Sequence, residues 1–194
     1  MNNDYELISK AQQGDGQAFG ELALMYRKNI TGLAYRMLGD LAEAEDVTQD
    51  VFIKAFSAIR SFVPNHEGSL KSWLLTITSR LCIDRQRRNY RLSFSSEILP
   101  QQELALADTV DSIAETVIRA ETQSLVREAV LRLPPNYRMA IILKYLEDLD
   151  YQEIAGIMEI PMGTVGTWIR RGLLQLRNDL QTKGVVTNEQ VAAR

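Results

Sequence analysis

The chain has 194 residues, of which 45% are hydrophobic and 24% charged, a composition typical of globular proteins and unlike that of disordered or fibrous ones. No apolar run approaches the ~18–20 residues that a membrane-spanning helix needs, and the N-terminal segment lacks the basic and then apolar order of a signal peptide. The single cysteine, Cys82, excludes an internal disulfide framework, so we expect a cytoplasmic protein.

The net charge of −3 is distributed in blocks of alternating sign. Residues 40–50 contain five acids and no base, residues 69–91 contain six bases and one acid, and residues 92–118 contain five acids and no base. The overall charge argues weakly against non-specific coating of nucleic acid. The alternation instead indicates a chain that contacts several surfaces in turn, some of them polyanionic.

Nearly every apolar stretch repeats at helical spacing, and none shows the sustained alternation of a strand. The first long helix is predicted to end at Gly39, a C-cap residue. Asp40 and Glu43 then form an Asp-x-x-Glu capping pattern that starts the next helix, whose apolar stripe includes Val51 and Ile53.

A loop and a strongly basic helix complete the first predicted unit. The loop, VPNHEGS at 63–69, contains proline and glycine breakers, and its last residue can cap the helix LKSWLLTITSRLCIDRQRRNYR. Arginines and aromatic rings interleave in a mixture that suits single-stranded nucleic acid, because arginine pairs with phosphate and rings stack on bases. Alternatively, the rings belong to the core and the arginines to a solvated face. We favour core for Trp73 and nucleic acid for the cluster from Arg85 to Arg88.

Residues 92–118 are acidic, polar and weakly periodic, and they predict a linker with room for a short helix. The predicted fold is therefore all-α, with two small helical domains. The first domain covers 1–91 and the second covers 119–182, and a short tail at 183–194 follows the second domain.

Helix-start signals divide the second domain. Pro134 and Pro135 suit the first turn of a helix, where a missing N–H does no harm. Asp150 and Glu153 form a capping box before the next helix. These signals divide the second domain into RAETQSLVREAVLRL, PPNYRMAIILKYLEDL and the stretch that begins at Tyr151.

The stretch YQEIAGIMEIPMGTVGTWIRRGLLQLR predicts two helices joined by a tight turn, the pattern of a helix-turn-helix. Val165, Ile169 and Leu173 recur at spacings of four and would anchor the second helix against the first. The alternative is a helical hairpin in an ordinary core. The basic content is low, since Arg170 and Arg171 are the arginines best placed to contact a guanine edge or a phosphate. The spacing alone leaves both interpretations open.

Enzymatic chemistry finds no support in the sequence. His66 is the single histidine, so a histidine-based triad is excluded and a metal site is improbable. We find no glycine-rich phosphate loop and no nucleophile elbow. A binding protein without a metal or cofactor is therefore expected.

Three stretches together resemble the extracytoplasmic-function (ECF) sigma factors of bacterial RNA polymerase. They are GDGQAFGELALMYRKNITGLAYRMLGDLAEAEDVTQDVFIKAF, SWLLTITSRLCIDRQRR and LPPNYRMAIILKYLEDLDYQEIAGIMEIPMGTVGTWIRRG. The resemblance runs from about residue 14 to residue 180, and the combination of AEDVTQDVF with the P-x-G-T-V turn is specific. It implies two helical domains, called regions two and four, joined by the acidic linker.

The resemblance implies three functional surfaces, each carried by its own set of residues. Binding to the β′ clamp helices of core polymerase would involve Asp46, Gln49, Asp50 and Phe52. Recognition and melting of the promoter −10 element would involve Phe62, Asn65, His66, Arg80, Arg85, Arg87 and Arg88. Recognition of the −35 element in the major groove would involve Thr164, Thr167, Trp168, Arg170 and Arg171.

The implied partners are core RNA polymerase, through its β′ clamp helices and β flap, promoter DNA and an anti-sigma factor, with no small-molecule substrate. The implied location is the cytoplasm, at the nucleoid, or at the membrane when a membrane-anchored anti-sigma factor holds the protein. The sequence departs from the family pattern at Gly166 and Trp168, where a basic residue is frequent, and at Arg80, where asparagine is common. These departures concern the promoter sequence rather than the class of function.

Two other classes of protein remain as alternatives. A free-standing helix-turn-helix regulator would bind duplex DNA as a dimer and would have no use for the acidic block from Asp40 to Phe52. A helical adaptor would use the arginine cluster to meet an acidic protein. Two results would distinguish a sigma factor from both of these alternatives: core polymerase copurifies with the chain, and transcription depends on the chain.

Overall fold

The computed structural model describes residues 3–64, 69–93 and 113–183, and within them the chain forms eight α-helices and one 3₁₀ turn. The elements are α1 (Asn3–Gln12), α2 (Gly16–Leu38), α3 (Leu41–Ala58), the 3₁₀ turn (Ile59–Ser61), α4 (Ser69–Ser93), α5 (Ile113–Arg132), α6 (Pro135–Tyr145), α7 (Tyr151–Met158) and α8 (Met162–Thr182). These ranges contain no strand, which confirms the all-α prediction. Among the same helices, none combines the length and apolarity needed to cross a membrane.

The residues predicted to start and end helices cap those helices at the predicted positions. Gly39 follows α2 in the left-handed conformation, with φ of 81°. The side chain of Asp40 accepts a hydrogen bond from the Glu43 N–H at 2.8 Å and so caps α3. Before α7, Asp150 and Glu153 form the complete reciprocal capping box. Each signal works through atoms at most three or four residues apart.

The stretch predicted as a linker, 92–118, is helical at both of its ends. α4 continues to Ser93, and α5 begins at Ile113. Acidic composition predicted a linker here, but IAETVIRA contains good helix formers and no breaker, so it extends α5. Residues 94–112 and the predicted tail from 184 onward lie outside the described residues.

α1 has no counterpart in the sequence prediction. It buries Leu7, Ile8 and Ala11, which recur at i, i+1 and i+4 on one face of the helix. The hydroxyl of Tyr26 on α2 donates to a carboxylate oxygen of Asp4 at 2.5 Å and ties the two helices together. Partial burial and this bond raise the pKa of Tyr26 above its usual value. The short apolar pattern could have revealed α1.

Both predicted domains contribute to one continuous hydrophobic core. α4 lies at its centre and contacts α2 and α3 on one side and α6 and α7 on the other. Leu75 of α4 is fully buried, as are Met139 and Ile154 from the second domain. Gly172 of α8 allows a close approach to α6, because a Cβ at this position would lie 2.6 Å from Ile141 Cδ1. The domains therefore pack directly on each other.

Two predicted core positions are wrong. Ile53 is 64% exposed, because it follows the buried Val51 by two residues and so faces away from it on the helix. Leu173 is 40% exposed, and Gly172 takes the buried position of α8 after Val165 and Ile169. At the contact with α6 the two helices approach too closely for a side chain as large as leucine.

Candidate nucleic-acid and polymerase-binding surfaces

The residues predicted to bind polymerase lie on α3. Asp46, Gln49 and Asp50 are exposed, whereas Phe52 is partly buried and packs against the core. Two apolar neighbours that were not predicted as contacts share this exposed face, Ile53 at 64% and Phe56 at 50% exposure. Their spacing of i+7 and i+10 from Asp46 places them on the same side of the helix. The result is an exposed face that is both acidic and apolar; we call it the α3 face.

The residues predicted to contact the −10 element start at the end of the 3₁₀ turn. Phe62 is half-buried, and its ring stacks on Trp73 of α4 with a centroid distance of 4.8 Å and an interplanar angle of 26°. Trp73 itself is a partly buried residue that packs against the core, in line with the prediction made for it. Asn65 and His66 lie outside the described residues.

The four predicted arginines of α4 do not form a single patch. Arg80 and Arg87 are seven residues apart and share one side of the helix, whereas Arg85 points toward α3. Its guanidinium lies 3.7 Å from Asp50, a predicted polymerase contact. Arg87 lies 4.0 Å from Asp84 on its own helix, and Arg88 is exposed. The predicted arginines of α4 therefore lie in two different surroundings: Arg85 lies next to α3, and Arg80 and Arg87 lie on another side of the helix.

The helix-turn-helix has the predicted arrangement. α7 ends at Glu159, which adopts a left-handed conformation with φ of 53°, and α8 starts after Pro161. Val165 and Ile169 are buried and hold α8 against α7. The exposed residues at the start of α8 are therefore fixed in direction by the core beneath them.

The predicted −35 residues divide into an exposed and a half-buried set. Thr167, Arg170 and Arg171 are exposed, and the hydroxyl of Thr167 donates to the carbonyl of its own helix four residues earlier. Thr164 and Trp168 are half-buried. The ring of Trp168 packs against the core and lies 6.4 Å from that of Tyr137 on α6. Much of this tryptophan is therefore committed to the domain interior.

The second domain covers part of the predicted −10 surface. Arg80 of α4 forms an ion pair with Glu159, the residue that ends α7. Beside this pair lies a cleft of ≈ 620 Å³, lined by Phe62 and Trp73 from the first domain and by Asp150 and Glu153 from α7, among others. In this arrangement an acidic side of the helix-turn-helix lies against the −10 residues.

A second ionic contact joins the domains at Glu147, in the turn after α6. Its carboxylate lies 3.1 Å from Arg36 of α2 and 3.4 Å from Lys71 of α4. The Glu147 side chain is only 6% exposed, whereas each cation keeps about a third of its surface in solvent. One acid from the second domain is thus held by two bases of the first.

Arg138 of α6 is a buried cation that is held by main-chain oxygens. Its guanidinium donates to the carbonyls of Leu131 and Leu133 at the end of α5 and to that of Met37 at the end of α2. Carbonyls at helix C-termini carry partial negative charge and suit a cation. Burial lowers the pKa of Arg138 to about 10. This one side chain therefore connects three helices.

Two further groups complete the chemistry of the interior. Cys82 is fully buried in α4, and burial raises the pKa of its thiol to about 12, so the thiol is protonated at neutral pH. In the described part of the chain, no group of three or more His, Cys, Asp or Glu side chains could hold a metal ion.

Comparison with known proteins assigns the chain to a family. Residues 22–92 match the model of Sigma-70 region 2, and residues 123–176 match that of Sigma-70, region 4. The ECF RNA polymerase sigma factor SigW of Bacillus subtilis is 36% identical over 181 residues, which cover 90% of this chain and 95% of that protein. The RNA polymerase sigma-H factor of Pseudomonas aeruginosa is 31% identical, with coverage of 93% and 95%.

Solved structures share the fold. The sigma factor RpoE of Bartonella quintana, crystallised with the anti-sigma factor NepR, has a TM-score of 0.65 at 22% identity, covering 84% of this chain and 96% of its own. CnrH in complex with the cytosolic domain of CnrY has a TM-score of 0.63 at 21% identity, with coverage of 93% and 98%. Two matched sigma regions in their expected order, together with a relative that is similar over nearly its whole length, identify the chain as a member of the ECF sigma factors of bacterial RNA polymerase.

Proposed function

We propose that the chain binds core RNA polymerase through the α3 face, captures the melted −10 element at Phe62 and α4, and reads the −35 element with α8. The proposal is supported by the single packed frame that carries all three predicted residue sets. The predicted polymerase contacts lie on α3, the described −10 residues lie at the end of the 3₁₀ turn and on α4, and the −35 residues lie on α8; each of these helices is anchored by buried residues. The chain supplies binding and orientation, and the polymerase supplies the chemistry of RNA synthesis.

The α3 face suits a protein partner. Asp46 and Gln49 supply polar and charged groups, while Ile53 and Phe56 supply apolar area that is unusual on a free surface. An interface core of apolar side chains with charged groups around it gives both affinity and orientation. A basic and partly apolar surface on the β′ clamp helices would complement it.

The −35 contact would use the exposed residues at the start of α8. Arg171 and Thr167 lie one turn apart on the same side, and Arg170 lies beside them. Arginine can bind a guanine edge with two hydrogen bonds or pair with a phosphate. Because only two arginines are available, we propose that polymerase and the −10 contacts share the binding energy through linked sites.

The −10 contact requires the closed arrangement to change locally. Arg80 is paired with Glu159, so its use as a DNA contact requires this ion pair to break. The cleft beside Trp73 would then be uncovered as α7 moves away from α4. We propose that binding to core polymerase holds the two domains apart and so accompanies this opening.

An anti-sigma factor is the further partner that we propose. The sigma factor RpoE of Bartonella quintana, which has the same fold, was crystallised with the anti-sigma factor NepR, and CnrH, also of this fold, forms a complex with the cytosolic domain of CnrY. We propose the cytoplasm and nucleoid as the place of action, with retention at the membrane when the partner is membrane-anchored. Copurification from cells at low expression, followed by mass spectrometry, tests for that partner.

Reconstitution with core polymerase tests the proposed function. Transcript-start mapping after overexpression supplies a promoter, and run-off transcription on that promoter should then require both core polymerase and this chain. Asp46→Arg should reduce affinity for core at least tenfold, whereas the control Glu6→Arg, the same charge change on α1, should leave it intact. A chain that binds its DNA as a dimer without core, and on which transcription does not depend, would instead be a free-standing helix-turn-helix regulator.

A further inference from the structure

The segment that leads into the predicted −10 loop is held in place by α1. The 3₁₀ turn (Ile59–Ser61) packs against α1, and Phe62, the residue after the turn, stacks on Trp73 of α4. Ile8 and Ala11 of α1 are buried in the core. The helix therefore lies where it can fix the path of the chain at Phe62.

A single side-chain amide joins α1 to this path. Gln12 Nε2 donates to the carbonyl of Ile59 at 3.1 Å and to the carbonyl of Phe62 at 2.5 Å. The two carbonyls belong to Ile59, the first residue of the 3₁₀ turn, and to Phe62, the residue just after the turn. One donor group thus fixes both ends of the turn, and both bonds are partly buried.

The stack of Phe62 on Trp73 fixes the same residue from its other side. The ring is held by α4, and the main-chain carbonyl is held by Gln12, so both the position and the rotation of Phe62 are determined. Binding constellations need their groups within about half an ångström of the productive geometry, and supporting hydrogen bonds supply that accuracy. No other described side chain donates to either carbonyl.

We infer that Gln12 is a positioning residue for −10 recognition: its amide sets the orientation in which Phe62 meets an unpaired base. The inference rests on the proposed function of Phe62. Gln12 does not touch DNA in this role. It acts through the two carbonyls, so its loss should alter which base is preferred where Phe62 contacts the −10 strand and leave the other contacts of the protein intact.

The test compares base preferences of the reconstituted holoenzyme. The probe is a fork-junction DNA with a duplex −35 element from the mapped promoter and a −10 non-template strand that is randomised, and bound strands are sequenced. Gln12→Met removes the donor at similar length, Gln12→Glu places a carboxylate against two carbonyl oxygens, and Gln12→Lys retains donors. Gln13→Met is the matched control, because Gln13 is exposed and its amide contacts only Ser9 of its own helix.

We expect Gln12→Met and Gln12→Glu to reduce discrimination by about three- to tenfold at one or two adjacent −10 positions, as expected for the loss of one or two net hydrogen bonds. Gln12→Lys should retain most of this discrimination, and Gln13→Met should retain all of it. Affinity for core polymerase and the −35 footprint should not change. A purely structural role predicts a uniform loss at all positions together with a lower melting temperature, and that result overturns the inference.

The remaining outcomes separate this inference from the function on which it rests. If Phe62→Ala flattens the −10 preference and Gln12→Met does not, the inference alone is wrong. If Phe62→Ala and Arg80→Ala both leave every preference unchanged, the −10 assignment fails and the inference fails with it. If Gln12→Met does not fold, equal preferences in the Gln12→Lys and Gln12→Glu proteins overturn the inference, because the donor then makes no difference.

Discussion

Glu147→Gln tests whether the two domains are held together by a buried charge. The substitution keeps the size of the side chain and one carbonyl oxygen, but it removes the negative charge that faces Arg36 at 3.1 Å and Lys71 at 3.4 Å. Because both cations belong to the first domain, the change acts on the contact between the domains.

The expected magnitude follows from distance and exposure. Each pair at this separation is worth roughly 5 kcal/mol of Coulomb energy at an effective dielectric constant of about 20. Desolvation of the carboxylate offsets much of this, since the Glu147 side chain is only 6% exposed. Removing one partner of a fully buried pair costs about 3–5 kcal/mol. The two cations here can regain water, so we expect a loss of about 1–3 kcal/mol.

Urea unfolding followed by tryptophan fluorescence measures this loss. The chain has two tryptophans, Trp73 in the first domain and Trp168 in the second, so the Trp73→Phe and Trp168→Phe backgrounds report one domain each. With a slope of about 2 kcal/mol per molar urea, Glu147→Gln should lower the midpoint by about 0.5–1.5 M. We expect the transitions reported by the two tryptophans to coincide in the parent protein, because the domains share one core, and to separate in Glu147→Gln.

The matched control is Glu6→Gln. Glu6 contacts Lys10 at 2.7 Å, closer than either cation of Glu147, but both side chains are more than half exposed. A solvated pair of this kind contributes little to stability, because water and salt screen its charges. Equal midpoint shifts in the two variants would refute the argument that burial, rather than distance, determines the contribution of Glu147.

Three other predictions concern the interior and the contact between the domains. The folded chain keeps the thiol of Cys82 protonated up to about pH 12, whereas the unfolded chain loses that proton near pH 9, so stability should fall as pH rises through this window. The urea midpoint should therefore fall less between about pH 8 and pH 10.5 in Cys82→Ala than in the parent. An equal fall in both proteins would contradict the attribution of this pH dependence to Cys82. Gly172→Ala should lower the melting temperature by about 3–10 °C, because its Cβ would lie 2.6 Å from a carbon of α6, whereas Gly166→Ala, with 3.5 Å to its nearest neighbour, should not lower it. Glu159→Gln should raise the affinity of the chain for core polymerase by no more than about fivefold, because the proposed opening on core binding breaks the ion pair with Arg80 and both side chains of that pair are 58% exposed. A fall in affinity, or a rise above tenfold, would show that the pair has another role.

The predicted helix boundaries and the helix-turn-helix could be obtained from the sequence because they depend on neighbours in the chain. Gly39, Asp40 and the box of Asp150 with Glu153 act within three or four residues. Apolar spacing also placed the buried side of most helices correctly. It failed at Ile53 and Leu173, where the direction of the helix relative to its packing partner decides exposure.

The family and its two regions could likewise be identified from the sequence, because their motifs lie within single stretches of the chain. The α3 residues Asp46, Gln49 and Asp50 were predicted from such a motif, but the exposed apolar neighbour Phe56 was not. Its exposure depends on what α2 and α4 leave uncovered, and no local pattern contains that information.

Only the tertiary structure shows which side chains form ion pairs and hydrogen bonds with the predicted binding segments and between the domains. Arg80 meets Glu159, 79 residues away, and Arg36 meets Glu147, 111 residues away. Gln12 reaches Phe62 across 50 residues. Such pairs form only after the helices have packed, since their separation along the chain carries no preference for contact. The sequence by itself determined the helices, their caps and the family, because those depend on local hydrogen bonds and periodicity; packing determined which charges pair and which surfaces are covered.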